Sequence, residues 1–392
     1  MEIYADNAAT TKQSKAVTEK MVQVADKYYG NPSSLHTVGQ KAKEELDRAR
    51  ASIAKNLGCE PREIYFTSGG SEADNQAIIS AALAGEKKGK KHIISTAFEH
   101  HAVLHTLKKL EKYGFEVQLL DVGNVGTVTA EQVEAAIRPD TCLVTVMYAN
   151  NEIGSIKQIG AVCRAKGVLF HTDAVQAAGH LPINVKEQNI DMLSLSAHKF
   201  HGPKGTGVLY ARTGIVLSNI IEGGAQERGK RAGTENLPAI AGMAVALDDA
   251  CAHMSENAAK VTAMRDKLIE GLSKIPHSAL NGDPVKRLPG NVSFCFEGVE
   301  GESLLLLLDQ KGISASSGSA CTSGSLDPSH VLLAIGRTHE VAHGSLRLSI
   351  SEENTMEQMD YMLKEIPFVV DYLRKMSPLW LDKVNGKKKF VL

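Results

Sequence analysis

The sequence has no CxxC pair and only six cysteines, at 59, 142, 163, 251, 295 and 321, in 392 residues. Their irregular spacing and mostly apolar neighbours argue against a disulfide framework and predict a reducing, cytoplasmic setting. Charge of either sign is not in excess: 44 basic against 45 acidic residues give a net charge of −1, which argues against a nucleic-acid binder with its basic excess on one face. A chain that is 43% apolar is not a charge-driven disordered one. Long apolar runs are missing too. The longest, 239–247 and 304–308, fall far short of the ~20 residues of a membrane span. The opening Met-Glu-Ile-Tyr-Ala-Asp lacks the basic and apolar regions of a secretory signal. Prolines number twelve against thirty-four glycines, so the chain reads as globular with tight turns, not as a string of linkers. No repeat or low-complexity tract is visible, and at roughly 100–200 residues per domain the length suits a large domain with a satellite.

What is present is a strand–helix alternation. Residues 14–30 and 36–58 read as helices, the second ending at Gly58. Strands are predicted at 63–68, 92–97, 116–122, 142–149, 168–173 and 191–197, with helices from 71 and at 100–114, 129–137 and 156–167 between them. Such alternation predicts a mainly parallel sheet covered by helices on both faces, with ligands beyond the carboxyl ends of its strands. After about residue 260 the texture changes to a helix at 257–275, a strand at 291–296, a leucine-rich helix at 302–311, a strand at 346–350 and a closing helix at 355–376. We therefore expect a large domain over 13–259 and a smaller α+β domain from 1–12 and 260–392. The lysine-rich tail 386–392 reads as a solvated end.

Three segments carry candidate chemistry. Gly167-Val-Leu-Phe-His-Thr-Asp173 is an apolar strand ending on Asp173, with Gln176 three residues on. An aspartate there is either a helix N-cap or a buried carboxylate facing a ligand cation, and the strand alone does not choose. Asp191-Met-Leu-Ser-Leu-Ser196 delivers Ala197-His198-Lys199 into a glycine-rich turn. A lysine at such a strand end is either partly desolvated, with its lone pair freed for Schiff-base chemistry, or a surface lysine whose stem covers an apolar edge. Gly202-Pro-Lys-Gly205 lacks the spacing and ending of a Walker phosphate loop. Thr67-Ser-Gly-Gly-Ser-Glu72 joins a strand to a helix, where the N–H groups of Gly69, Gly70 and Ser71 either meet a phosphate or only form a turn. Phosphate anchor, carboxylate and lysine together are what one cofactor needs, pyridoxal 5'-phosphate.

These residues also resemble a known family. Asp6-Asn-Ala-Ala-Thr-Thr11, Gly30-Asn-Pro-Ser-Ser34, Glu99-His100, Asn150-Asn-Glu-Ile-Gly154, His171-Thr-Asp173, Ala197-His-Lys199, Gln226-Glu-Arg-Gly229 and Ser316-Ser-Gly-Ser-Ala-Cys-Thr-Ser323 are similar to the motifs of NifS-type cysteine desulfurases. These are class V, fold-type-I pyridoxal-phosphate enzymes, and the motifs follow the family's order from residue 6 to about 350. The resemblance implies an α/β fold with a mainly parallel seven-stranded-type sheet between helices. It implies that Lys199 binds the cofactor covalently, Asp173 pairs with the ring nitrogen, and Gln176 and Asn151 approach the phenolate oxygen. Gly70, Ser71, Ser196 and His198 would hold the phosphate, with Thr234 reaching it from the neighbouring subunit of a homodimer. His100 would stack on the ring and move protons, and Arg347 and Asn31 would bind the substrate carboxylate.

Cys321 selects the reaction. It sits among serines and glycines, a composition suited to a mobile loop at about 314–327, whereas the other five cysteines have helical or strand-like apolar contexts. By the resemblance its thiolate attacks the sulfur of bound L-cysteine, leaving alanine and an enzyme persulfide for iron–sulfur cluster assembly. No resident metal is expected in the cofactor site, although Cys321 would be the contact for a transferred iron–sulfur cluster. Two departures are noted: Gly70-Ser71 replaces the Ala-Thr of many relatives, and no extended scaffold-binding tail follows Trp380. The alternative reading is a selenocysteine lyase or another class V aminotransferase-type enzyme. A colourless sulfur carrier that uses Cys321 without a cofactor is the non-enzymatic one.

Overall fold

The computed structural model describes residues 1–149, 156–317 and 328–392. The chain forms two compact units, a larger one of Thr11–Asp121 and Thr127–Met254 and a smaller one of Met1–Thr10, Val122–Gly126 and Ser255–Leu392. After β1 (Ile3–Tyr4) come α1 (Lys15–Lys27), α2 (Thr37–Leu57), β2 (Ile64–Thr67), α3 (Gly70–Glu86), β3 (His92–Thr96), α4 (His101–Glu111) and β4 (Glu116–Leu120). Next are α5 (Ala130–Ala136), β5 (Thr141–Thr145), α6 (Ile156–Lys166), β6 (Leu169–Asp173), β7 (Met192–Ser196), β8 (Gly207–Ala211), the short turn α7 (Gln226–Gly229) and α8 (Leu237–Ala252). The remainder is α9 (Met254–Leu272), β9 (Ser278–Leu280), β10 (Asn291–Phe296), α10 (Gly301–Gln310), β11 (Ile313–Ser314), α11 (His330–Ala334), α12 (His339–His343), β12 (Ser345–Ser349), α13 (Met356–Met376) and α14 (Pro378–Val384).

The larger unit is built on a seven-stranded sheet in the order β2-β8-β7-β6-β5-β3-β4. The pairs from β7 through β6, β5 and β3 to β4 are parallel, and β8 runs antiparallel to both β7 and β2. Every residue of β3, β5, β7 and β8 is buried. That is why β3, β5 and β7 read as apolar runs and not as alternating patterns. The apolar run at 239–247 belongs to α8, a buried helix against α1 and α2, and a Cβ at Gly242 would come 2.8 Å from Met21 Cγ. Among the described residues no helix is long and apolar enough to cross a membrane.

The smaller unit pairs β1 with β11 and holds an antiparallel sheet in the order β12-β10-β9. Leu304 and Leu308 of α10, Met362 and Ile366 of α13, and Phe294 and Leu346 of the sheet share its core. The tail is exposed at 386–389, as a solvated end should be, but its last residues are held in place. Val391 N and Leu392 N donate to Glu297 at 2.8 and 3.0 Å, Phe390 stacks on His277, and Lys383 Nζ donates to Lys389 O. Buried Glu297 also pairs with Lys383 of α14, so the tail follows a buried charge that composition does not reveal.

Candidate active site

Because β2, β3, β6 and β7 all point the same way, their carboxyl ends share one edge of the sheet. The segments leaving that edge are Gly69–Ser71, Glu99–His100, Asp173 and Ala197–Lys199, which topology brings together from four separate stretches of sequence. This edge is where open α/β sheets bind ligands.

Asp173 ends β6 nearly buried, 3% exposed, and its Oδ1 accepts from Val175 N at 2.9 Å. One ligand-type atom each from Asp173, Asp74 and His100 lies within 4.8 Å of the others. His100 is the N-cap of α4, and its Nδ1 accepts from Ala102 N at 3.1 Å. A ring nitrogen that accepts a backbone N–H carries no proton, so in the neutral ring the proton sits on Nε2. Lys199 closes a tight turn after β7. The turn is fixed by Gly202 N to Ala197 O at 2.9 Å, Thr11 N to His198 O at 2.9 Å, and His180 Nε2 to Lys199 O at 3.0 Å.

Burial and charge divide the protons among these groups. Burial pushes Asp173 up, while the Val175 N–H and the Lys199 charge pull it back. Burial, and then the charge of Asp173, drive Asp74 well above the carboxylate range. Two ionised carboxylates 4.8 Å apart would repel by roughly 3.5 kcal/mol at an effective dielectric of about 20. The Val175 amide and the Lys199 charge favour the ionised form at Asp173. Burial also raises Glu99 to about 8, although Thr96 Oγ1 and Met147 N donate to it at 2.6 and 3.0 Å. It lowers His171 to about 3, and, with the charges of Lys199 and Lys204, lowers His198 to about 4, leaving both rings neutral.

The edge fits pyridoxal phosphate. Gly69 is the N-cap of α3 and has no side-chain cap bond, so the first N–H groups of a 17-residue helix are available to an anion. Gly70 is needed for space: a Cβ there would lie 2.5 Å from Val175 Cγ2 and 3.7 Å from Ser196 Cβ. A buried carboxylate, a nearby lysine and an open helix N-terminus are the donor set that this cofactor's ring nitrogen, aldehyde and phosphate require.

The other expected residues are placed as follows. Gln176 is half-buried in the turn after Asp173, Ser71 is exposed, and Thr234 is exposed between α7 and α8. Asn31 is exposed, and its Oδ1 accepts from Ser33 N at 2.9 Å. Arg347 belongs to the smaller unit, where its Nη2 meets Asp6 Oδ1 at 2.9 Å. Asn151 and Cys321 lie outside the described residues. Cys59 is not within a helix or strand as expected, but just past the C-cap Gly58 of α2. Sequence reading missed Asp74 as a site neighbour. Its signal was the spacing from Gly70, since i and i+4 share a helix face.

A family model described as aminotransferase class-V matches residues 3–362, so the chain belongs to the class-V aminotransferase family, whose desulfurase members are pyridoxal-phosphate-dependent. It is 52% identical over 394 residues to the cysteine desulfurase IscS of Clostridium botulinum, with 99% of each chain covered. A solved NifS-like protein superposes with a TM-score of 0.89 at 37% identity, covering 95% of this chain and 100% of its own. SspA, solved in complex with cysteine, matches with a TM-score of 0.76 at 37% identity over 89% of this chain and 98% of its own.

Proposed function

We propose that this protein is a pyridoxal-phosphate-dependent cysteine desulfurase that converts L-cysteine to L-alanine and passes the sulfur, as a persulfide, to an acceptor of iron–sulfur cluster assembly. The observation that carries this reading is the gathering of Asp173, His100, Lys199 and the open N-terminus of α3 at one sheet edge. Bound there, pyridoxal phosphate supplies an electron sink for negative charge at the substrate Cα. Lys199 would hold the aldehyde, and its amine is the base for the Cα proton. The Asp173 carboxylate holds the proton on the ring nitrogen, and Gln176 and Asn151 attend the phenolate oxygen. Backbone N–H groups of Gly70 and Ser71, the Ser196 hydroxyl and the neutral His198 ring donate to the phosphate. His100, with its proton on Nε2, faces the site as an acid. To act as a base it gives up its cap on Ala102. Arg347 and Asn31 take the substrate carboxylate, the guanidinium by a bidentate fork.

Cys321 attacks the substrate sulfur. The S–S bond forms as the carbon–sulfur bond breaks, and the electron pair left on carbon takes a proton to give alanine. The working unit is a homodimer in which exposed Thr234 reaches the phosphate of a second copy. A thiol that must be reduced in every cycle suits the cytoplasm. Mass spectrometry of the Cys321 peptide after exposure to L-cysteine tests the reading: one added sulfur is expected, and none after Lys199→Ala. An unmodified peptide in the wild type overturns it.

A further inference from the structure

We propose that Asp74 is a positioning residue of the cofactor site, a buried neutral carboxylic acid that leaves the one negative charge of a carboxyl pair to Asp173. The inference deepens the proposed function and rests on Asp173 as the partner of the ring nitrogen.

Asp74 sits one turn beyond Gly70 on α3 and is 1% exposed. Its carboxyl, the Asp173 carboxyl and the His100 ring crowd within 4.8 Å. From β6 it faces His171, whose Nε2 is 3.6 Å from Asp74 Oδ1 and 3.0 Å from Ser194 Oγ. His171 Nδ1 is shared with Thr145 Oγ1 at 2.8 Å, and Ser194 of β7 lies opposite Asp173 in the strand register. Glu99, before α4, also bears on it electrostatically, and the Lys199 charge is felt at Asp173. Among the described residues no lysine or arginine pairs with Asp74, its Oδ1 has no hydrogen-bond partner, and the Ser194 hydroxyl is the one group whose hydrogen bond favours its charge. A buried carboxylate in that setting is far more costly than a carboxylic acid. Asp173 has the amide and the lysine that Asp74 lacks. One anion, not two, then meets one ring cation, and its place is fixed because the alternative oxygen holds a proton.

The test is infrared spectroscopy of the full-length protein stripped of cofactor, so that it does not depend on the cofactor reading. At neutral pH the wild type should show the carbonyl stretch of protonated carboxylic acids, one component of which disappears in Asp74→Asn and another in Glu99→Gln. Labelling aspartate side-chain carboxyls with carbon-13 shifts the aspartic acid components and not that of Glu99, and loss of the shifted band in Asp74→Asn but not in Asp173→Asn assigns it to Asp74. A wild type with no labelled acid band overturns the proposal. On reloading, Asp74→Asn keeps the charge balance, so the pH dependence of the bound absorbance should keep its midpoint. A shifted midpoint would mean that Asp74 is an anion, which also overturns it. Failure of the cofactor reading looks different: no visible absorbance in any variant on loading.

Discussion

The Arg50–Glu227 pair in the larger unit offers a test whose size can be worked out. Arg50 donates from Nη1 to Glu227 Oε2 at 2.8 Å and from Nη2 to Oε1 at 2.7 Å, with side chains only 9% and 2% exposed. Glu227 Oε2 also accepts from Phe66 N at 3.0 Å, and the guanidinium lies over the Phe66 ring. Glu227 and Arg228 hold left-handed dihedrals, φ 48° and 59°, a conformation that costs roughly 1–2 kcal/mol per residue. Those contacts, with Arg228 Nη2 to Ile64 O at 2.7 Å, offset that strain and fix the turn that leads to Thr234. Glu227→Gln leaves a buried guanidinium unpaired, a change that costs about 3–5 kcal/mol. The lower end applies because Ile64 O still accepts from Arg50 at 2.8 Å. Arg50→Met should cost a similar amount. The double variant buries no ion, so it should be at least about 2 kcal/mol more stable than the sum of the single losses predicts. Urea unfolding followed by far-ultraviolet circular dichroism measures all four proteins. Single losses under about 1 kcal/mol, or additivity within about 0.5 kcal/mol, would refute the reasoning.

Four further outcomes are expected. Lys199→Ala should lose the visible absorbance of the loaded protein, whereas Cys321→Ser should keep it and release no sulfide from L-cysteine, as absorbance and sulfide assays would show. Glu99, raised to about 8 when folded against about 4.3 unfolded, keeps a proton that the unfolded chain releases, so its stability contribution is present at low pH and lost as pH rises toward 8. Glu99→Gln should therefore flatten the stability of the cofactor-free protein between pH 6.5 and 7.5 by about 1.4 kcal/mol per unit, read from urea midpoints. Truncation after Asn385 removes the Phe390 ring, 5.2 Å from the single tryptophan, Trp380, and two donors to Glu297. Red-shifted Trp380 emission and a loss of about 1–3 kcal/mol should follow. Brief alkylation of the native protein near pH 7 should label Cys321 well before the other five cysteines, by peptide mass spectrometry.

Legibility followed what burial does to local pattern. β3, β5 and β7 are buried throughout and were visible as apolar runs. β8 was missed because it follows a glycine-rich turn at once, and its Gly207 is there for space: a Cβ would meet Leu195 O at 2.5 Å and Gly69 Cα at 2.7 Å. Asp173 was legible because a strand ends on it, and Lys199 because it follows three residues after the end of β7. Asp74 was not, since α3 shows no sharp division of faces that would mark which one turns to the sheet edge. The docking of the tail and the place of Val122–Gly126 in the smaller unit depend on long-range contacts, to which composition is blind.

Five of the cysteines stand in apolar sequence contexts, and burial gives their quiet a cause. Burial pushes Cys59 and Cys163 up to about 12 and Cys142 to about 11, and it raises Cys251 and Cys295 as well. Among the described residues all five are free thiols. A thiol near 12 is ionised at pH 7 in about one molecule in 10⁵, against about 3% for an ordinary cysteine. Only the thiolate attacks sulfur, so in a protein that handles persulfide these five are poor nucleophiles and poor recipients. A cysteine with the ordinary thiol pKa would exceed the most deeply suppressed of these five by about three orders of magnitude in reactive form.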